Sequence, residues 1–317
     1  MPVTSRDYAG HDDLRAMQGL AQRLWTRRSH LHIGDLAWQR RPQGPHRAQP
    51  TRLWFAEGTL VAWIWGQSGG PLHILVDPSY PELFDEGLMW LATASPDLAL
   101  EATALESDRV LITALERQGY IRRADKPFGL QAFHDLSGDL AVDLPPGFRV
   151  VTMADGLSVE RKVAGHRAAW SRLADYDPEA APLVSSMSAA RYAQLMQTWP
   201  YRGDLDIAIE APDGRLAASA CIWLDEVNGV GLFEPVGVDP QFRRLGLSQA
   251  VGLACLDSLK AAGAQMALVK PRGDDNYPVP RHAYKQMGFT IVARQYIFVR
   301  PSPKPVRPRA PGPSALF

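Results

Sequence analysis

The sequence predicts an α/β (α+β) protein built as two tandem domains of similar topology. Three observations carry this expectation: a hairpin, strand and helix pattern that occurs twice, a second helix in each half that runs into glycine plus an aromatic residue, and a proline-glycine break between the halves. At 317 residues the chain has room for about two domains of roughly 150 residues each.

Each element follows from its local pattern. Asp12–Arg28 mixes polar and apolar residues as a helix does. Leu53–Trp65 reads as two apolar runs joined by Glu57-Gly58, a hairpin signal. A third apolar strand ends in Val76-Asp77-Pro78, and Leu83–Thr93 has helical spacing. The run LITALERQGY then closes on Gly119-Tyr120, where glycine suits a left-handed helix C-cap.

The second half repeats the order. Helix-like stretches at Leu157–Leu173 and Ala189–Thr198 precede a hairpin over Leu205–Leu224, turned at Pro212-Asp213-Gly214. The next strand ends in Val238-Asp239-Pro240, a helix is expected over Leu247–Ala262, and HAYKQMGF closes on Gly288-Phe289. From valine to glycine is 43 residues in the first half and 50 in the second. Pro145-Pro146-Gly147 breaks any regular element near Leu140–Gly147. The expected organisation is therefore a domain over 1–143, a domain over 144–300, and a Pro/Arg-rich tail over 301–317 that cannot bury a core and is expected to be disordered.

Formal net charge is zero, so no bulk field draws the chain to nucleic acid or to an anionic membrane, and neither partner is expected. No apolar run reaches the ~18 residues of a membrane span, and the N-terminus lacks the basic-then-apolar pattern of a leader, which makes the cytoplasm the expected compartment. Two cysteines, Cys221 and Cys255, sit in apolar stretches and are expected as reduced core thiols; their spacing fits no zinc site, and no metal is expected.

Between the strand ending at Val238 and the helix after it stands Arg243-Arg244-Leu245-Gly246-Leu247-Ser248. Unpaired N–H groups at a helix start, with about half a positive charge from the macrodipole, suit a phosphate. A glycine lets the phosphate approach the main chain, and arginines add charge-assisted bonds. An Arg-x-x-Gly tetrapeptide alone is weak evidence; its place after Val238-Asp239-Pro240 strengthens it.

The run from Glu234 through Ser248 resembles motif A of the GNAT acyltransferase superfamily, over a resemblance spanning roughly Phe148–Arg300. The resemblance implies two tandem GNAT-like acyl-CoA N-acyltransferase domains, each a mixed, mostly antiparallel sheet flanked by helices. It implies acetyl-CoA as cosubstrate, its pyrophosphate held by Arg243, Arg244, Leu245, Gly246, Leu247 and Ser248, where serine replaces the usual small glycine or alanine. It also implies that the strand at Pro235 bulges and splays from its neighbour to admit pantetheine.

The chemistry fits this resemblance. An alkyl amine of pKa about 10.4 is neutral at pH 7 only about once in two to three thousand molecules, so a general base is useful. Glu234 shares strand parity with Val236 and Val238 and is the candidate base, the alternative being an edge glutamate that stabilises a bulge or binds the substrate ammonium. Backbone N–H groups of Val236, Gly237 and Val238 are oxyanion candidates. The resemblance places Tyr284, four residues before Gly288, as proton donor to the CoA thiolate, against a bland core aromatic. It places Asn276 as a CoA contact, although Pro278 and Pro280 make that loop unusual. Lys270 and Arg272 could neutralise phosphates or be surface charge, and His282 is a rival base or a surface histidine. Trp170, Trp199, Tyr201, Trp223 and Phe233 could line an acceptor pocket or sit in the core.

Aligning the halves on the valine of Val-Asp-Pro pairs Arg243 with Pro81, Gly246 with Phe84, Ser248 with Glu86 and Glu234 with Leu72. Aligning on glycine pairs Tyr284 with Leu115. Glu82, Asp85 and Glu86 would repel a pyrophosphate, and the first half is expected to keep the scaffold without the site, bracing the active domain and walling its acceptor cleft. The expected activity is acetyl transfer to the primary amine of a small molecule. Tandem architecture resembles mycothiol synthase-like acetyltransferases, with one CoA per chain, in a monomer or homodimer. A non-catalytic acyl-CoA-binding or regulatory protein is the alternative. Transfer-RNA-dependent aminoacyl transfer is disfavoured by the intact loop and the absence of a basic body.

Overall fold

The computed structural model describes residues 2–39, 49–66, 70–96, 98–125, 127–138, 140–171 and 185–302. In chain order the elements are β1 (Val3–Asp7), α1 (His11–Arg23), α2 (Ile33–Gln39), β2 (Thr51–Ala56), β3 (Thr59–Trp65), β4 (Pro71–Val76), α3 (Leu83–Ala94), β5 (Leu100–Leu105), α4 (Arg109–Arg117), β6 (Ile121–Arg122) and β7 (Gly129–Asp135). There follow β8 (Arg149–Thr152), α5 (Val159–Ala169), α6 (Ala189–Leu195), β9 (Asp206–Glu210), β10 (Leu216–Asp225), β11 (Val230–Val238), α7 (Leu247–Ala261), β12 (Met266–Val269), α8 (Val279–Gln286) and β13 (Thr290–Arg300). Both hairpins, both Val-Asp-Pro strands and both glycine-terminated helices stand where the pattern placed them. The tail expected from residue 301 lies almost wholly outside the described residues, whereas the helix expected to reach Leu173 already ends at Ala169, with Trp170 as its C-cap.

Two compact units emerge, and they do not follow a cut at residue 143. The first holds β1 to β6 with α1, α3 and α4, and takes the part of β13 from Ala293 on. There β13 runs antiparallel to β5, with Tyr296 opposite Ala104, and to β6. The second unit holds β8 to β12 with α5 to α8, and takes α2 and β7 from the first half of the chain. There β7 pairs antiparallel with β12, Phe133 opposite Leu268. Each half thus hands its last strand to the other unit. β7 is buried from Leu130 to His134 and β13 only at Ile297 and Phe298, and neither pattern carries information on which sheet edge receives the strand.

The repeat extends to individual hydrogen bonds. Asp77 Oδ1 accepts from the Ser79 N–H at 3.0 Å, and Asp239 Oδ1 from the Gln241 N–H at 2.9 Å. Tyr120 N–H bonds to the Leu115 carbonyl, and Phe289 N–H to the Tyr284 carbonyl, both at 3.0 Å across a left-handed glycine. That bond ties each helix end to the strand after it.

In the second unit, α7 packs against the sheet face that carries Ala218, Ala220, Ile222 and Phe233 in one core with Val251, Cys255 and Leu259. The opposite face meets α5 and α2: a Cβ on Gly165 would touch Leu216, and one on Gly34 would touch Trp223.

Candidate functional site

The site forms where β11 leaves β12. The two run parallel only from Val230 opposite Met266 to Leu232 opposite Leu268, although β11 continues to Val238. Against β10 the register also slips: Phe233 faces Ile222 but Val236 faces Ala220, so Glu234 and Pro235 together oppose Cys221. One extra residue in β11 is a bulge, which tolerates the proline's missing donor and bends the strand. The expected bulge and splay are both present.

The bulge alters one expectation. Phe233, Val236 and Val238 all pack on the same core cluster, so Glu234 does not share a face with Val236 and Val238 by simple alternation. The two-residue alternation that the sequence suggests breaks at the extra residue. Glu234 nonetheless reaches the Tyr284 phenol electrostatically. Burial pushes that phenol well above the usual tyrosine range, and Cys255, Glu234 and Tyr277 push in the same direction. Tyr284 sits half-buried on α8 with its ring 5.4 Å from that of Phe289. Tyr284 and Glu234 thus lie within electrostatic reach of each other.

Val236, Gly237 and Val238 form the end of β11 and pair with Ala220, Ser219 and Ala218 of β10. Gly237 is required there, because a Cβ would come within 2.9 Å of Ala169 and 3.3 Å of the Trp170 indole nitrogen. Past Val238 a short 3-10 turn over Pro240–Phe242 leads to the loop. Arg244 has φ 66° and Gly246 φ 76°, two left-handed residues within three positions. Such a sequence of backbone turns makes a concavity of N–H groups that suits an anion. Arg244, Leu245, Gly246 and Ser248 are exposed, Arg243 is half-buried, and Leu247 anchors the helix start in the core. No side chain caps α7, whereas Ser158 caps α5 and Ser188 caps α6. Nothing lies within 4 Å of the place a Gly246 Cβ would take, so the cradle is open. These features fit a pyrophosphate.

The remaining candidates fare differently. Asn276 is exposed in the turn before α8, where Arg272 and Asp274 pair at 2.6 Å. Pro280 falls in the first turn of α8, where a missing N–H costs nothing. Lys270 is ion-paired with Asp35 of α2. Neither Lys270 nor Arg272 is thus a spare cation for phosphate. His282 is exposed, and Cys221 and Cys255 are buried free thiols. Trp223 and Phe233 are core residues, while Trp170, Trp199 and Tyr201 are half-buried. Among the described residues no group of His, Cys, Asp or Glu is arranged to hold a metal, and no helix is long and apolar enough to cross a membrane.

The first unit keeps the frame and not the loop. β4 and β5 run parallel for only Pro71–Leu72 opposite Glu101–Ala102, so this pair splays too. Between Val76 and α3, however, no residue adopts a positive φ. Phe84 packs on the core, Trp54 donates its indole N–H to Glu86 at 2.7 Å, and Arg117 pairs with Asp85. The repulsion expected from Asp85 is therefore largely offset by Arg117; a filled, loop-free helix start is the stronger obstacle. Phe84→Gly is accordingly expected to create no second site, with calorimetry giving one CoA per chain before and after the change.

Two features of the second unit carried no sequence signal. Lys162 of α5 and Asp206 of β9 are both buried and lie 2.6 Å apart. Lys162 Nζ also donates to the carbonyls of Ile207 (2.7 Å) and Ala220 (3.0 Å), while Tyr192 and Tyr201 each donate to Asp206 Oδ2 at 2.7 Å. Separately, the Trp223 indole donates to the Glu234 carbonyl at 2.7 Å.

The sequence matches no protein-family profile and no curated protein. Solved structures are similar in fold at low identity. A tandem GNAT protein from the clavulanic acid biosynthesis pathway, crystallised without acetyl-CoA, is 17% identical with TM-score 0.64, over 94% of this chain and 98% of that one. A GCN5-related N-acetyltransferase from Sphaerobacter thermophilus is 15% identical with TM-score 0.59, over 94% and 96%. A GNAT-family acetyltransferase from Colwellia psychrerythraea is 12% identical with TM-score 0.56, over 94% and 100%. With its repeated hairpin, splayed strand pair and glycine-terminated helix, the chain has the GNAT fold in tandem form.

Proposed function

We propose that the second unit moves an acetyl group from acetyl-CoA to the primary amine of a small molecule. The observation that carries this reading is the contrast between two copies of one frame. Both splay their parallel strand pair, and the second adds two left-handed residues, Arg244 and Gly246, before its helix, which supports reading that loop as the anion cradle and Glu234 and Tyr284 as the groups beside it. In this reading the loop from Arg243 to Ser248 holds the pyrophosphate, and main-chain N–H groups of Val236–Val238 face the thioester oxygen. Glu234 takes the proton from the acceptor ammonium. The amine nitrogen bonds to the acyl carbon, the carbon–sulfur bond breaks, the departing thiolate takes the proton of Tyr284, and the second proton shed by the attacking nitrogen returns through solvent to the Tyr284 phenolate.

A phenol held above its normal pKa of about 10 stays protonated throughout the working range, which suits a proton donor. Tyr284→Phe should therefore lower turnover by about 10²-fold or more, the usual range of a general acid, while CoA affinity changes little. The wild-type rate profile should show no descending limb from this phenol between pH 7 and 10. An unchanged rate in the variant would remove Tyr284 from the reaction.

The direct test is thiol release from acetyl-CoA by the full chain across a panel of primary amines. Acceptor-dependent release supports transfer. Tight CoA binding with no acceptor-dependent release would instead make the protein an acyl-CoA binder.

A further inference from the structure

Glu234 sits in a bulge, the part of a strand with the fewest ladder bonds to hold it. Its carbonyl is gripped from outside the ladder by the Trp223 indole N–H at 2.7 Å. We propose that Trp223 is a positioning residue for Glu234, held in place by α2 and by a buried ion pair; this rests on the transfer reading above.

The support around Trp223 is specific. Gly34 of α2 lies so close that an added Cβ would stand 2.3 Å from the Trp223 Cβ, so only glycine lets α2 seat there. The Asp35–Lys270 pair fastens α2 to the residue that follows β12, the strand from which β11 departs. On another side the Tyr201 ring meets the indole edge-on at 6.4 Å, and the Tyr201 hydroxyl is fixed to Asp206. Lys162, paired with Asp206, holds the carbonyl of Ala220, the residue at which the β10–β11 register slips. The bulge is thus pinned twice, at Glu234 through Trp223 and at Ala220 through Lys162. Trp223 itself is fully buried and has no contact with solvent, so it acts through Glu234 and not on the substrate.

The test is Trp223→Phe in the full chain, which removes the N–H and keeps an aromatic ring, together with Gly34→Ala, which leaves Trp223 intact and displaces it. Expected in both is a fall in kcat of tenfold or more, with the KM for acetyl-CoA and the Kd for CoA within twofold of wild type. A crystal structure of either variant should show the Glu234 carbonyl displaced while Val236–Val238 remain paired with Ala218–Ala220. Unchanged kcat, or equal losses of kcat and CoA affinity, would overturn the assignment. Should the wild type bind CoA and acetylate no amine, the transfer reading falls. The crystal structures then decide alone: an undisturbed bulge overturns the positioning role, and a relaxed one upholds it.

Discussion

Gly246→Glu abolishes CoA binding, and Gly246→Ala weakens it only modestly: this graded pair is the expected result at the loop. Gly246 has φ 76°, where an L side chain costs about 1–2 kcal/mol. Alanine adds little beyond that strain, because open space surrounds its Cβ, so a loss of about 5–30-fold is expected. On the proposed binding mode, glutamate would add a carboxylate next to the pyrophosphate. Two unit charges about 4 Å apart repel by about 4 kcal/mol at an effective dielectric of 20. That corresponds to a further loss of roughly 10³-fold, beyond the range of ordinary titration. Isothermal titration with CoA measures both variants. Equal affinities for glycine and glutamate at this position would mean that the pyrophosphate binds elsewhere.

Lys162→Met is expected to cost about 3–5 kcal/mol of stability, the usual penalty for removing one partner of a buried ion pair. Lys162 and Asp206 are almost wholly shielded from water, so the surviving carboxylate would keep its desolvation cost and lose its counter-charge. Its two tyrosine donors remain and place the loss toward the lower end of that range. The carbonyls of Ile207 and Ala220 would also lose a donor. The double variant Lys162→Met/Asp206→Leu removes both charges together and should recover much of the loss, since a buried pair is often replaceable by apolar packing. Urea unfolding midpoints compare the three proteins. If single and double variants unfold alike, the pair is not coupled as its geometry indicates.

Much of the frame was legible because it is written in local signals. Val-Asp-Pro, the Pro212-Asp213-Gly214 turn and the glycine-aromatic pairs each specify a backbone conformation within a few residues, and each occurs where expected. The loop proposed to hold the pyrophosphate could be picked out for the same reason, since Gly246 and its arginines are contiguous. What escaped is long-range or depends on direction. Nothing in the helix around Lys162 distinguishes a lysine aimed into the sheet from one in water, and Asp206 opens a strand as any polar residue might. The bulge hid in plain view: Pro235 announced an irregularity, but the parity of Glu234 depends on how many residues oppose Cys221. The tie between Gly34 and Trp223 spans most of two hundred residues and leaves no periodic trace.

The exchange of final strands has a consequence for the order in which the protein is made. The first unit closes its sheet edge at β5 with residues 293–300, so its chain can be almost entirely synthesised while Leu100–Leu105 still waits for a partner. The second unit, in contrast, draws on α2 and β7, which leave the ribosome long before β12 exists to receive them. The first unit therefore cannot mature as its own half emerges and waits for the end of the second, whereas the second unit finds α2 and β7 already made. A gene cut at the proline-rich break would yield two fragments, each carrying one strand that belongs to its neighbour and each presenting an open edge where its own should be.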